Sequence, residues 1–446
     1  MTALLSRQLG TFSLAALLVG ANYGLGFILG TAEKALTQGV AGSLYAVSTG
    51  LGLFVLAGFA RFYWTQQEPI WTLLGRRYGN AIKLFVGLMS WSWMLGVVAA
   101  QILGGAFILK CLGLPLLASL ISMAILFAVL ALLSVEKVGH IFKTLLAINS
   151  IVILYSLVRL GGISDYIRAP LHFLPALESI AIPQQVGTVL TTILLIPIGM
   201  QFQFFLVQSQ TIQKAYRACL IGGIILILLA FVPSEVAIAA RNSGILPAEI
   251  VGKEVIPYVV SWLGGGLHAP FGIFLMLFLL CSALGSGSGL LRSMNKTLFE
   301  LELFPKTDRL RAILAFSNVI LALAIASRGG SIIGLMVSFY ALYVSSVWIP
   351  FLAYLLDHNG QFRFSPTSIQ LALIGGSGSA ITVLMTTSIV PNSILWGSQQ
   401  LSILVIGFSC SALGFLLGYV FDRKEFRSAE VTGILKAEGR GQKAEG

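Results

Sequence analysis

The sequence contains little charge, cysteine or histidine. Only 10% of its 446 residues are Asp, Glu, Lys or Arg, whereas soluble domains contain about 25%. This low charge excludes a chain that mostly faces water. The four cysteines are far apart, and they form no CxxC or Cys/His pattern with the four histidines. The sequence therefore supports neither a disulfide framework nor a metal centre.

Long apolar runs take the place of the missing charge, and 57% of the residues are hydrophobic. A helix needs about 20 mostly apolar residues to cross the hydrocarbon core of a bilayer. Because the runs are continuous, they predict an all-α polytopic membrane protein with about 12 transmembrane helices. The predicted spans lie near 11–31, 41–64, 82–109, 113–135, 140–160, 187–208, 216–240, 269–296, 311–327, 331–356, 368–388 and 400–421.

The distribution of basic residues predicts the orientation in the membrane. An even number of spans puts both termini on one side, and that side collects 21 Lys and Arg residues against 7 on the other. The positive-inside rule then predicts cytoplasmic N- and C-termini in a cell (inner) membrane. The net charge of +11 belongs to the cytoplasmic loops, so no nucleic-acid partner is expected. The tail 424–446, charged and rich in glycine, is predicted to be disordered.

Two predicted spans carry helix-breaking residues at their middle. Span one contains Gly20, Gly24, Gly26 and Gly30, and span six contains Pro197 and Gly199. Interrupted spans at matching positions of two halves are typical of transporters with inverted repeats, although glycine also serves close helix packing. We predict a transmembrane domain 1–423 with an inverted-repeat core of ten helices and broken helices one and six. Its parts are repeat one at about 11–160, repeat two at about 187–356 and two extra helices at about 368–421.

Polar side chains cluster at the depth of the predicted breaks. Such groups are costly toward lipid and are expected to face protein or a cavity. Tyr340 in span ten could form a gate or stacking surface, and a packing or lipid-facing role is equally open for it. The substrate-binding candidates are Asn22, Tyr23, Ser90, Trp93, Gln101, Gln201, Gln203 and Tyr340.

Five segments, in order and spacing, resemble one family. They are ALTQGVAGSLY at 35–45, EPIWTLLGRRYG at 68–79, AAQILGGAFILKCLGLP at 99–115, QFFLVQSQTIQKAYRA at 203–218 and LCSALGSGSGLLRSMNKTLFE at 280–300. With these segments the chain, from Ala15 to Phe421, resembles the sodium:solute symporter family as a divergent member. The resemblance implies a five-plus-five inverted repeat of the leucine-transporter type and alternating access.

The resemblance also implies a Na⁺ site between core helices one and eight. Backbone carbonyls at the break of helix one would hold the ion together with hydroxyls of helix eight. This sequence departs from the family's hydroxyl pair, which reads Leu284-Gly285 or Gly285-Ser286 here. The implied ion-binding residues are Gly20, Ala21, Gly24, Ser282, Ser286 and Ser288.

These observations predict a secondary active transporter, a Na⁺-coupled symporter of a small polar organic solute. A solute sensor without net flux and an H⁺-coupled or uncoupled carrier stay open as alternatives. Glu235 is the candidate coupling carboxylate for protons, although it could also reach interfacial water. An enzyme is not expected, because no paired acidic, His or Cys groups share one depth. Na⁺ is the one expected ion, and the sequence indicates neither the solute nor the oligomeric state.

Overall fold

The computed structural model describes residues 7–133, 135–360 and 362–441, with the side chains of all but 135–143, 146, 282, 391 and 422–441. Within these ranges the chain is helical apart from loops and an isolated bridge between Leu9 and Ser209. The α-helices are α1 Thr11–Asn22, α2 Leu25–Gln38, α3 Leu44–Gln66, α4 Ile70–Tyr78, α5 Asn80–Cys111, α6 Leu116–Leu132, α7 Val135–Arg159, α8 Ile163–Ala176, α9 Ile182–Ile198, α10 Met200–Val207, α11 Ile212–Asn242, α12 Val255–Leu263, α13 Pro270–Glu300, α14 Asp308–Ala326, α15 Ile332–His358, α16 Pro366–Ile389 and α17 Gln399–Gly441.

The helices make this chain a multi-pass membrane protein. Among the described residues, eight segments are long and apolar enough to cross a membrane, or up to ten if each bent pair is one span. The predicted number of twelve is not confirmed. Two of the predicted spans contain helices that are too short to cross alone. Helix α1 has 12 residues and α6 has 17. At 1.5 Å per residue these helices cover about 18 and about 26 Å, less than the bilayer core of about 30 Å.

Both predicted helix breaks are confirmed. Span one divides into α1 and α2, with Tyr23 and Gly24 between them. Span six divides into α9 and α10 at Gly199, where the two helices are bent by 42°. Pro197 lies two residues before that bend, where its missing N–H and its ring disturb a regular helix.

The loops carry residues that begin and end helices. Thr211, Thr307, Ser331 and Ser365 each accept a hydrogen bond from a backbone N–H of the following first turn, which stabilises the N-terminus of the helix. Gly79 alone separates α4 from α5 and has a φ of 112°, a conformation that side chains other than hydrogen rarely allow.

Helix α5 lies at the centre of the molecule, and most of its residues are buried. It packs against α13 and α15, while α3 packs against α9 and α11. The extra helices α16 and α17 pack against each other and against α15. Helix α17 continues to Gly441. Residues 424–441 therefore have a helical backbone, whereas their composition predicted disorder.

Candidate functional site

The break between α1 and α2 changes the pairing of the backbone. Gly24 is extended, with φ −102° and ψ −171°, and its N–H donates to the carbonyl of Asn22 at 2.9 Å. In a continuous helix this N–H would donate to the carbonyl of Gly20. The side-chain amide of Asn22 donates to the carbonyl of Leu18 at 2.8 Å. The break therefore removes the helical partner of the Gly20 carbonyl.

The break between α9 and α10 is capped by side chains from other helices. The carbonyl of Pro197 accepts from the Tyr63 hydroxyl at 2.6 Å. The carbonyl of Ile198 accepts from the Tyr343 hydroxyl at 3.0 Å and from Gln203 Nε2 at 3.0 Å. These bonds occupy both lone pairs of the Ile198 carbonyl and one of the two on the Pro197 carbonyl, so these carbonyls offer less to a ligand than the Gly20 carbonyl at the first break.

A cavity of about 920 Å³ lies between the two breaks. Its wall is formed by α1, α2, α3, α5, α7, α9, α10, α11, α13 and α15, and it extends to Leu9, Phe12 and Arg292. The structure thus brings most of the predicted site residues together. Those that line the cavity are Gly20, Ala21, Asn22, Tyr23, Gly24, Trp93, Gln101, Gln201, Ser286 and Tyr340.

Side chains of two other helices lie close to Gly24. A Cβ atom at this position would lie 3.1 Å from Gln101 Nε2 of α5 and 3.6 Å from Ser286 Oγ of α13. The break of helix one therefore faces the eighth core helix, as the predicted ion site requires. The Ser286 hydroxyl also donates to the carbonyl of Ala283 at 3.2 Å.

Buried polar atoms without a protein partner surround the cavity. Trp93 Nε1, Gln101 Oε1 and Thr192 Oγ1 belong to cavity-lining residues, and none bonds to a described residue. Because buried polar atoms normally have a partner, these three atoms fit a site that receives a polar ligand. Thr192 was not predicted, since a helical threonine usually bonds to its own backbone.

Aromatic rings form part of the wall. Trp93 contacts Tyr340 edge to face with ring centroids 5.9 Å apart, and Tyr23 lies 5.1 Å from Phe27. These rings provide apolar surface beside the polar atoms, as is usual in small-molecule sites.

Several predicted residues lie outside the cavity lining. Gln203 binds the second break and accepts from the backbone N–H of Ile70 at 3.3 Å. Ser288 is fully buried and donates to the carbonyl of Gly285 at 3.4 Å. Ser90 is fully buried behind the wall, and the side chain of Ser282 lies outside the described residues.

Glu235 lies in α11, away from the cavity. Its side chain is only 4% exposed, and no hydrogen bond or ion pair joins it to a described residue. The neighbouring Ser234 hydroxyl pairs with that of Ser43 at 2.7 Å. The structure therefore separates this carboxylate from the residues around the breaks.

At the end of the cavity region opposite to Leu9, ion pairs join segments that are far apart along the chain. Glu33 pairs with Lys253 at 3.3 Å and accepts from the N–H of Ile332 at 3.0 Å. Lys110 pairs with Glu254 at 2.6 Å. The segment before α12 folds back onto α2 and supplies the partner of Glu33.

A third ion pair joins α4 to the end of α15. Arg77 binds Asp357 through two hydrogen bonds of 2.9 and 2.7 Å, and the Tyr78 hydroxyl donates to the same carboxylate at 2.8 Å. This hydrogen bonding raises the pKa of Arg77. The pair fixes α4 beside Gln203 and thereby beside the second break.

No protein-family model and no curated protein matches the sequence. Solved structures match over most of the chain. A substrate-bound Na⁺-coupled sialic acid symporter in an outward-open state is 16% identical, with a TM-score of 0.58, over 93% of this chain and 90% of that one. A nucleobase-cation-symport-1 family transporter in a closed conformation is 14% identical, with a TM-score of 0.53, over 92% and 94%. A manganese transporter of Eremococcus coleocola is 14% identical, with a TM-score of 0.50, over 92% and 95%.

At these identities the likeness is one of fold. It agrees with the resemblance that the sequence motifs indicated and with the two interrupted helices. The chain therefore has the leucine-transporter-type fold, with an inverted-repeat core and broken helices one and six.

Proposed function

We propose that this chain is a secondary active transporter that carries a small polar organic solute by alternating access, coupled to Na⁺. The observation that carries the proposal is the cavity of about 920 Å³ between two interrupted helices. A straight helix offers no free peptide groups at membrane depth, whereas a broken one does.

The solute would bind where the unpaired polar atoms converge. Trp93 supplies an indole N–H, Gln101 an amide oxygen and Thr192 a hydroxyl, all beside the cavity. Tyr340 adds a ring against Trp93. Asn22, Tyr23 and Gln201 complete the proposed solute site because they also line the cavity.

The coupling ion would bind at the first break. Na⁺ prefers oxygen ligands, and unwound helices supply carbonyls for it in this kind of fold. Gly20, Ala21 and Ser286 line the same cavity as Gly24, and the carbonyls of the first two and the hydroxyl of the third would be the ligands. Ser286 replaces the missing hydroxyl pair as the donor of a side-chain oxygen from helix eight.

The two ends of the cavity region differ in a way that supports alternating access. The cavity extends toward Leu9 and Arg292, whereas the opposite end carries the ion pairs of Glu33 and Lys110. With both termini on the cytoplasmic side of a cell (inner) membrane, this arrangement corresponds to a state in which the cavity opens toward the cytoplasm. The proposed repeats, about 11–160 and 187–356, would exchange it with an outward-open state.

Flux into proteoliposomes tests the proposal. The purified full chain is reconstituted, and uptake of a panel of labelled sugars, amino acids, carboxylates and amines is measured with and without an inward Na⁺ gradient. We expect saturable uptake of at least one solute that stops when an ionophore dissipates the gradient. Binding of a solute without flux would contradict transport and support the solute sensor.

Proton coupling is the second candidate, and the burial of Glu235 supports it. A carboxylate that is 4% exposed in a spanning helix is costly and is a functional candidate by default. Under this alternative, solute uptake is driven by a pH gradient and does not depend on Na⁺. Glu235→Gln abolishes the dependence on the pH gradient. Uptake that follows Na⁺ and is unchanged in Glu235→Gln excludes it.

A further inference from the structure

Among the described residues that line the cavity, one is charged at neutral pH, Arg292 of α13. No Asp or Glu belongs to the described lining. The wall of the proposed transport cavity therefore carries a net positive charge. This charge has no role in the solute and ion sites described above.

The guanidinium of Arg292 is held by neutral groups. Its Nη2 donates to the carbonyl of Leu130 at 2.6 Å, and its Nε donates to that of Ala131 at 3.3 Å. Both carbonyls belong to the last turn of α6. A guanidinium has five N–H donors, so these two bonds leave others free. The salt bridges of the described residues include none to Arg292, so its charge stays available to a negatively charged ligand at this end of the cavity.

Other groups around the cavity are also suited to a negative charge. Gly24 and Gly199 are the N-cap residues of α2 and α10, and no side chain caps either helix there. Unpaired N–H groups and the helix dipole make such ends favourable to anions. Trp93 adds a buried indole N–H without a partner among the described residues. These donors surround the same space as Arg292.

From this charge balance we infer that the solute is a small organic anion bearing a carboxylate, and that Arg292 binds this carboxylate on its way through the cavity. The inference rests on the proposed transport function and names its substrate class. Arg292 lies six residues beyond Ser286 on the same helix, which is about 9 Å along its axis. An anion near Arg292 and a Na⁺ ion near Ser286 would occupy one cavity with opposite charges, which reduces the cost of moving either through the membrane.

A purely structural role makes a different prediction. If Arg292 only ties α13 to the end of α6, its loss weakens the binding of all solutes to the same degree. If it binds a carboxylate, its loss lowers the preference for a carboxylate over the matching amide. The ratio of the two affinities therefore separates the two roles.

The test uses matched pairs of solutes on the purified full chain in nanodiscs. Affinities are measured for lactate and lactamide, succinate and succinamide, nicotinate and nicotinamide, and benzoate and benzamide. Sugars and amines are included as neutral and cationic probes. We expect at least one carboxylate to bind about 10- to 100-fold more tightly than its amide, the range of one charge-assisted hydrogen bond.

Three variants then locate the preference. Arg292→Gln should remove it, and Arg292→Lys should keep most of it because the charge remains. Lys296→Gln is the matched control, because Lys296 lies one turn further along α13, pairs with Glu300 and does not line the cavity. We expect this control to keep the wild-type ratio.

The outcomes distinguish the inference from the proposed function. If the solutes that bind and are transported are neutral or cationic, the inference is wrong and the transport function stands. An Arg292→Gln variant that weakens a carboxylate and its amide equally also overturns it. If no probe binds and none is transported, the proposed function itself fails. If Arg292→Gln does not fold, two measurements still decide the inference. They are the charge of the solutes that the wild-type chain binds and the ratio of carboxylate to amide affinity in Arg292→Lys.

Discussion

The two helix breaks differ in what happens to the peptide groups that they release. At the first, the N–H of Gly24 turns to Asn22, and the Gly20 carbonyl loses its helical partner beside the cavity. At the second, hydroxyls of Tyr63 and Tyr343 bind the two carbonyls that precede Gly199. The pseudo-symmetric positions of the fold thus carry one open break and one capped break.

This difference indicates a division of labour. A carbonyl oxygen has two lone pairs. Two donors occupy both at Ile198, and the Tyr63 hydroxyl occupies one at Pro197, so these carbonyls have less capacity for an ion than that of Gly20. We therefore assign ion and solute binding mainly to the first break. The second break serves as a fixed bend that holds α10 against α3, α4 and α15.

Filling the space at the open break should have the largest effect. Gly24 has an extended backbone that a valine can adopt, but the added carbons would meet Gln101 and Ser286. We expect Gly24→Val to lower Na⁺-driven uptake about 100-fold, since overpacking costs about 1–3 kcal/mol. Uptake per folded protein, checked by size-exclusion chromatography, measures this change.

Gly58→Val is the control for this prediction. Gly58 lies in α3 with open space around it, so the same side chain should leave uptake near the wild-type rate. Wild-type uptake in Gly24→Val would show that the first break does not hold the transported species.

Removing the caps of the second break should reduce stability instead. In the double variant Tyr63→Phe with Tyr343→Phe, two buried carbonyls lose a donor, each at about 1 kcal/mol. We expect the free energy of unfolding to fall by about 2 kcal/mol, with solute affinity changed less than in Gly24→Val. Thermal and denaturant unfolding in detergent measure the loss.

Tyr155→Phe provides the comparison, because Tyr155 is exposed on α7 and should tolerate the change. If the double variant were as stable as this control but bound solute poorly, the capped break would be the ligand site and the division of labour would be reversed.

Removing one hydroxyl at the open break should have the smallest of the three effects. Ser286→Ala deletes the side-chain oxygen nearest to Gly24. We expect the Na⁺ concentration for half-maximal uptake to rise about 5- to 10-fold, the equivalent of one polar ligand. Ser379→Ala is the control, because that hydroxyl bonds to Gly375 within the extra helix α16. An unchanged Na⁺ response in Ser286→Ala would remove Ser286 from the ion site.

The positions of the breaks could be predicted because their causes are local. Glycines at the middle of span one and Pro197 in span six disturb a helix wherever they occur. Apolar run length likewise predicted most of the helices that the structure contains. The number of spans was less predictable, because a helix of 12 or 17 residues can extend an apolar run without crossing alone.

The site was only partly predictable, because run length and composition do not show which way a polar side chain points. Gln203 was predicted to bind solute, yet its amide lies between the Ile198 carbonyl and the N–H of Ile70. Thr192 and Arg292 line the cavity although the sequence pattern did not select them. A rotation of one residue, about 100° around a helix axis, decides between wall and interior.

The sequence by itself determined that this chain lies in a membrane, where its helices run and where two of them are interrupted. These features depend on the transfer of apolar residues into lipid and on backbone restrictions, both of which act over short segments. Only the tertiary structure decided which break stays open. Tyr63 and Tyr343 reach the second break from 134 and 145 residues away along the chain, and nothing local to Pro197 or Ile198 specifies that approach.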